Sequence, residues 1–207
     1  MSQKTDERSV TSLIAAPPED LCLSFVNTKF WRGSAEPTET LLSLDDLRGW
    51  IAGNTELDAA GHLALANLAE DAGLAALDQA IGLREQLYRV FAAIAAKAPI
   101  PEADLAGFNA TLSRVPARTH LAAGGSGAVW AVRNLDAAIP DLLTPVIWAA
   151  ADLLAQKEHH RLRSCANDKC LWLFIDRSKA GTRRWCDMKG GGTGQKPNRH
   201  YARSKLR

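Results

Sequence analysis

The sequence has no uncharged apolar run approaching the about 18 residues that a transmembrane helix needs, so no membrane-spanning segment is expected. Its opening stretch, MSQKTDERSVTSLIAAPPED, lacks a basic segment followed by a long apolar one. Secretion is therefore not expected, and the chain reads as cytoplasmic. No P-loop, GxGxxG or HExxH occurs, and no internal repeat is visible. His62 and His120 stand near no Cys or Ser in a recognisable nucleophile setting, so no enzyme is expected. Cysteine is scarce, with four residues in all. In a cytosolic chain these read as metal ligands or free thiols rather than disulfides. Aromatics make up only 6% of residues, whereas alanine is abundant and favours helix.

What is present suits one medium domain, or one domain with a small appendage. The chain has 207 residues, of which 46% are hydrophobic and 23% charged, enough apolar content for a buried core. The net charge of +2 hides a division. From His159 to Arg207 there are 13 Lys/Arg against three acids, a balance of +10, and residues 1–158 carry −8. An acidic body joined to a basic tail points to a polyanionic partner, with nucleic acid the leading candidate and a solubilising tail the alternative.

Residues 1–19, ending just after Pro17-Pro18, read as a disordered leader. Residues 20–158 read as a helical body. Asp20 is expected to cap a short apolar helix, LCLSFVNT, and residues 29–42 read as a loop. Ser43 with Asp46 forms a capping box before Leu47, Trp50 and Ile51. A helix is expected over 56–72. The strongest spans 74–98, with Leu77, Ile81, Tyr88 and Phe91 on one stripe and Leu83, Leu87, Val90 and Ile94 on the next, which suits the centre of a bundle. Pro99 and Pro101 stop it, and another helix follows over 102–115. Thr119–Ala122 and Val129–Val132 flank a glycine-rich turn and read as one hairpin. A long helix from Leu135 to about His159 contains Pro140 and Pro145, the second able to bend it, and His159-His160 falls at its end. The expected fold is mainly α, a helical body with one short β-hairpin and a small C-terminal element.

That element, residues 160–207, concentrates the chemistry. Cys165 and Cys170 form a C-x4-C knuckle before the strand-like run LWLFID, and Cys186 closes Arg183-Arg184-Trp185-Cys186. Thiolates from a tight turn and from a following segment are how small domains hold tetrahedral zinc. A segment this short needs such a staple. Cys22 lies in an apolar helix and reads as a core residue. The segment CANDKCLWLFIDRSKAGTRRWCDMKGGGTGQKPNRHYAR resembles the zinc finger named for its Cys-Gly-Asn-Arg motif, the CGNR finger. LCLSFVNT and LREQLYRVF resemble the opening segment and central helix of the ABATE domain, its usual partner. The resemblance implies a treble-clef-like finger, zinc held by Cys165, Cys170 and Cys186, and a stress-induced transcription regulator whose finger binds DNA.

The chain departs from that family at one point. The naming motif should begin five residues after Cys186, where this sequence has Gly191. Glycine cannot ligate, and the motif's Asn and Arg are missing too. Water, Asp187, His159, His160 or His200 could complete a three-thiolate site. The alternative is a metal-free, degenerate finger packed through Trp172, Phe174 and Trp185. The cysteines, set among Arg and Lys, also suit a thiol-based redox sensor. Beyond the glycines, Lys196, Arg199, His200 and Arg203 recur at helical spacing, with Lys205 nearby. Arg183 and Arg184 add a second basic cluster for phosphate contact.

In the body, Arg84 lies in register with Ile81 and Tyr88 on an apolar face, and a buried cation needs a partner. Either a carboxylate such as Asp45 or Asp46 supplies it, or Arg84 lines an internal polar pocket for a small anionic ligand. Asn27, Thr28 and Tyr88 would contribute to that pocket, and Trp31 and Trp50 would wall it.

Overall fold

A computed structural model of the chain describes residues 11–14, 20–68, 73–125, 127–133 and 139–186. The body is helical. In chain order it carries β1 (Thr11–Ile14), α1 (Leu21–Val26), β2 (Lys29–Phe30), β3 (Thr38–Glu39), α2 (Leu44–Asn54), α3 (Ala59–Ala66), α4 (Gly73–Ala95) and α5 (Glu102–Leu112). Then come β4 (Leu121–Gly124), β5 (Gly127–Arg133), α6 (Ile139–Leu142), α7 (Thr144–Ala155) and a 3-10 turn, Lys157–Arg161. The finger contributes β6 (Leu162–Ser164) and β7 (Leu173–Ile175). The fold class is as expected, mainly α with a small C-terminal cysteine-bearing element.

Helix α4 is the axis of the body. Ala76, Leu77, Ala80, Leu83, Leu87, Val90 and Phe91 are buried, while Ile81, Tyr88 and Ile94 pack half-buried against the same core. Both apolar stripes therefore face neighbours, as their spacing predicts. The helix ends with Lys97 in the left-handed region, at φ 57°, just before Pro99. The capping box of α2 forms: Ser43 Oγ accepts from the Asp46 amide, and Asp46 accepts from the Ser43 hydroxyl and the Leu42 amide. Asp58 caps α3, accepting from the Gly61 amide, whereas Asp20, expected to cap α1, stands at its N-cap without a side-chain cap bond.

Three expectations need correction. The single helix over 135–159 is broken into α6, α7 and the 3-10 turn. Pro145 has no N–H to donate back to Asp141, so it sits in the first turn of a new helix rather than inside an old one. The leader assigned to disorder includes β1, which pairs antiparallel with β5 in a three-stranded sheet, β1-β5-β4. Its Leu13 amide donates to Asp58 at 2.6 Å, and Ile14 is buried. The rest of residues 1–19 lies outside the described residues. The supposed loop over 29–42 contains a two-stranded ladder, Lys29 opposite Glu39 and Phe30 opposite Thr38.

Candidate metal centre and its seat on the body

β6 and β7 pair antiparallel, with Leu162 opposite Ile175 and Ser164 opposite Leu173. The Cys165 amide extends the ladder by donating to Trp172 O at 2.8 Å. The knuckle between them is a tight turn organised by Asn167. Its carbonyl accepts from the Cys170 and Leu171 amides, and its side-chain oxygen accepts from the Lys169 amide. Leu171 leaves the turn at φ 54°. The segment returning to the knuckle is fixed by Asp176, which is fully buried. Its carboxylate accepts from the Ser178 amide at 3.0 Å and the Arg183 amide at 2.9 Å. Hydrogen bonding from Ser178 and the Arg183 amide, with the Arg163 charge, holds the Asp176 carboxyl below its ordinary value. Arg183 then stacks 4.8 Å over Phe174 and donates to the carbonyls of Trp185 and Cys186. The Ala166 amide bonds Arg184 O at 2.8 Å. Cys186 is thereby brought to the knuckle.

The three sulfurs of Cys165, Cys170 and Cys186 lie within 4.8 Å of one another, and Cys170 and Cys186 are 3.8 Å apart. Zinc–thiolate bonds of about 2.3 Å arranged tetrahedrally put sulfurs about 3.8 Å apart, so the donor set fits zinc in both chemistry and spacing. Cys165 is buried, and Cys170 and Cys186 are half-buried. The hydrogen bond shared with Cys186, with backbone help from Trp172 and against burial, brings the Cys170 thiol down to about 6. The same hydrogen bond holds the proton on Cys186, whose thiol is pushed well up. Cys22 is the contrasting case. It is buried in α1, and burial pushes its thiol up to about 12. His159 and His160 are exposed, their Nδ1 atoms contact the carbonyls of Gln156 and Lys157, and neither joins the three-sulfur cluster. Asp187, Gly191 and His200 lie outside the described residues.

The finger is seated directly on the body, and two of the body residues expected to bind a ligand, Asn27 and Tyr88, form part of the seat. Asn27, at the end of α1, donates to Leu173 O at 2.8 Å and accepts from the Leu173 amide at 3.1 Å. Phe30 stacks on Trp172 with centroids 5.1 Å apart and planes 12° from parallel. The Gly33 amide donates to Lys169 O, and a Cβ at Gly33 would stand 1.8 Å from Asp168 O. Tyr88 reaches Leu171 O with its hydroxyl at 3.4 Å, and Arg32 lies 3.9 Å over the Tyr88 ring.

Arg84 is fully buried, and its guanidinium is engaged by carboxylates and a hydroxyl. It donates to both Glu39 oxygens at 2.6 Å, to Glu85 at 2.9 Å and to Thr28 Oγ1 at 3.1 Å. Neither Asp45 nor Asp46 is its partner: Asp46 serves the α2 cap, and Asp45 pairs with Arg48. Burial works to raise the Glu39 carboxyl. The Arg84 hydrogen bonds and the Leu41 and Thr40 amides outweigh it and hold Glu39 below its ordinary value. Glu85 follows the same pattern, with Arg32 as the main opposing partner. Thr28 is buried between Arg84 and the Phe25 carbonyl. Trp50 is a core residue against Phe25 at 5.0 Å, and Trp31 is a turn residue at φ 53°.

Sequence reasoning missed Glu39, Glu85, Arg32 and Gly33, and no local pattern marks them. Asp176 stood within the LWLFID run but without a role. Of the basic residues, Arg184 is exposed and Arg183 is engaged as described. Lys196, Arg199, His200, Arg203 and Lys205 lie outside the described residues. No helix among the described residues is long and apolar enough to cross a membrane.

The comparisons with known proteins agree with this division. No curated protein matches the chain. The family model of the ABATE domain, described as "Putative stress-induced transcription regulator", matches residues 19–157. The model of the CGNR zinc finger matches residues 161–204. The helical body and the cysteine knuckle seated on it therefore place this chain in the family of ABATE-domain proteins with a C-terminal CGNR zinc finger.

Proposed function

We propose that the chain is a cytoplasmic transcription regulator whose finger holds zinc through Cys165, Cys170 and Cys186 and binds duplex DNA. The convergence of three sulfurs within 4.8 Å, inside a segment carrying +10, is the observation that supports this reading best. Bound zinc would tie the knuckle to the Cys186 segment, supplying folding free energy that a two-stranded ribbon lacks. The chain's own residues do the rest. Asp176 and Arg183 aim Cys186 at the knuckle, and Arg184, Lys169 and Lys179 stand exposed around it. With Lys196, Arg199, His200, Arg203 and Lys205 these supply phosphate contacts, so affinity comes chiefly from charge. Ligand sensing is not part of this reading, because Glu39 and Glu85 already neutralise the Arg84 charge that motivated it. Fluorescence anisotropy with a labelled duplex tests the proposal. Binding should weaken steeply between low and moderate salt, and Arg199→Ala with Arg203→Ala should weaken it on every sequence alike. Undetectable binding at low salt would overturn the DNA reading.

A second reading rests on the 3.8 Å Cys170–Cys186 approach. In metal-free protein a hydroperoxide would oxidise the two thiols to a disulfide, leaving water and the corresponding alcohol, and the finger would report oxidation. Loss of two thiols per chain on peroxide treatment, prevented by prior zinc loading, is its signature.

A further inference from the structure

We infer that Asn27, Phe30 and Gly33 of the body are positioning residues of the metal centre, so that the ion affinity of the finger is set in part by the helical body. The inference rests on the zinc reading of Cys165, Cys170 and Cys186. Five of the six residues from Asp168 to Leu173 meet the body. Gly33 brings its backbone against Asp168 and donates to Lys169 O. Tyr88 reaches Leu171, Phe30 stacks on Trp172, and Asn27 satisfies both main-chain groups of Leu173. Cys170 sits inside this run. Cys165 is tied to it through the hydrogen bond from its amide to Trp172 O.

The short β6–β7 ribbon has three paired positions and cannot hold that geometry alone. The remaining cysteine, Cys22, is buried in α1, so at most three thiolates are available to the site. With fewer ligand bonds to impose geometry, more of the affinity depends on sulfurs placed in advance. The seat itself is stiffened from below. Arg32 lies over Tyr88, binds both oxygens of Glu85, and donates to Val26 O beside Asn27. Glu85 in turn accepts from Arg84.

Cobalt(II) titration of the full chain, followed by zinc competition against a chromophoric chelator, tests this. Asn27→Leu keeps the volume but removes both bonds to Leu173. It should weaken ion affinity by about ten- to a hundred-fold, the range for residues that support metal ligands. It should also alter the cobalt visible bands, which report ligand geometry. Phe30→Leu removes the Trp172 stack and should act in the same direction, covering the case in which Asn27→Leu does not fold. Phe108→Leu, in the α5 core, should lower thermal stability without moving affinity or spectrum. Affinity and bands unchanged in Asn27→Leu or Phe30→Leu, with the unaltered protein binding normally, would overturn the inference alone. Absence of cobalt thiolate bands in the unaltered protein would sink the zinc reading, and this inference with it.

Discussion

A guanidinium with no solvent exposure persists in the body because its bonds are made, two of them to one carboxylate in a fork. The fixed planar geometry of arginine suits this, and lysine would not replace it. Arg84→Met leaves Glu39 half-buried without its cation and should cost about 3–5 kcal/mol, read as a lowered urea midpoint. A variant as stable as the unaltered protein would show that the Arg84–Glu39 pair adds nothing to folding. That Arg84 is buried was legible from its place between Ile81 and Tyr88. Its bidentate partner was not, because Glu39 is 45 residues away along the chain and only folding brings the two together. The cysteines divide in the same way. In metal-free protein at neutral pH, iodoacetamide should modify Cys170 first, since its neighbour's hydrogen bond favours the thiolate. Cys22 should stay unmodified until the protein unfolds, because burial keeps it protonated and covered. Peptide mass mapping checks both, and zinc should protect Cys170.

Elements whose determinants are local were read correctly from the chain. The α2 cap needs only Ser43 and Asp46, three residues apart, and it forms. The hairpin needs two β-prone pieces around glycines, and β4–β5 forms within two residues of the expected limits. β1 was missed because Thr11–Ile14 becomes a strand only by pairing with residues 130–133, more than a hundred positions away. Helix 135–159 was drawn too long because Pro145 reads equally as a bend or a first turn, and packing decides between them. The finger is the element on which the family departure bears. Gly191→Cys would restore a fourth thiolate at the family's spacing, and zinc affinity and thermal stability should then rise together. Chelator competition and calorimetry on the same variant check this. No gain in either would mean that another residue already completes the site.

At the scale of the whole molecule, the body and the finger share one set of charges and contacts. Glu39, Glu85 and Asp176 all have carboxyls held below their ordinary values in the folded state. They therefore contribute stability at pH above the unfolded carboxylate range, about 4, and that stability is lost as pH falls through the lower folded values. The urea midpoint should drop as pH is lowered below about 5, and Arg84→Met should show a shallower drop because Glu39 has lost its main partner. An acid dependence unchanged by that substitution would show that the Arg84 network does not carry it. By itself the sequence determined the mainly helical class, the acidic body and basic tail, the cysteine knuckle and the α2 cap. Each of these depends on composition or on residues a few positions apart, where spacing alone sets geometry. The tertiary structure alone decided that Asn27, Phe30, Gly33 and Tyr88 hold the knuckle and that Glu39 answers Arg84. Those contacts join residues 45 to 146 positions apart. Only packing brings them together, α1, α4 and the β2–β3 segment against the finger and β3 against α4, and burial makes each polar group's pairing obligatory.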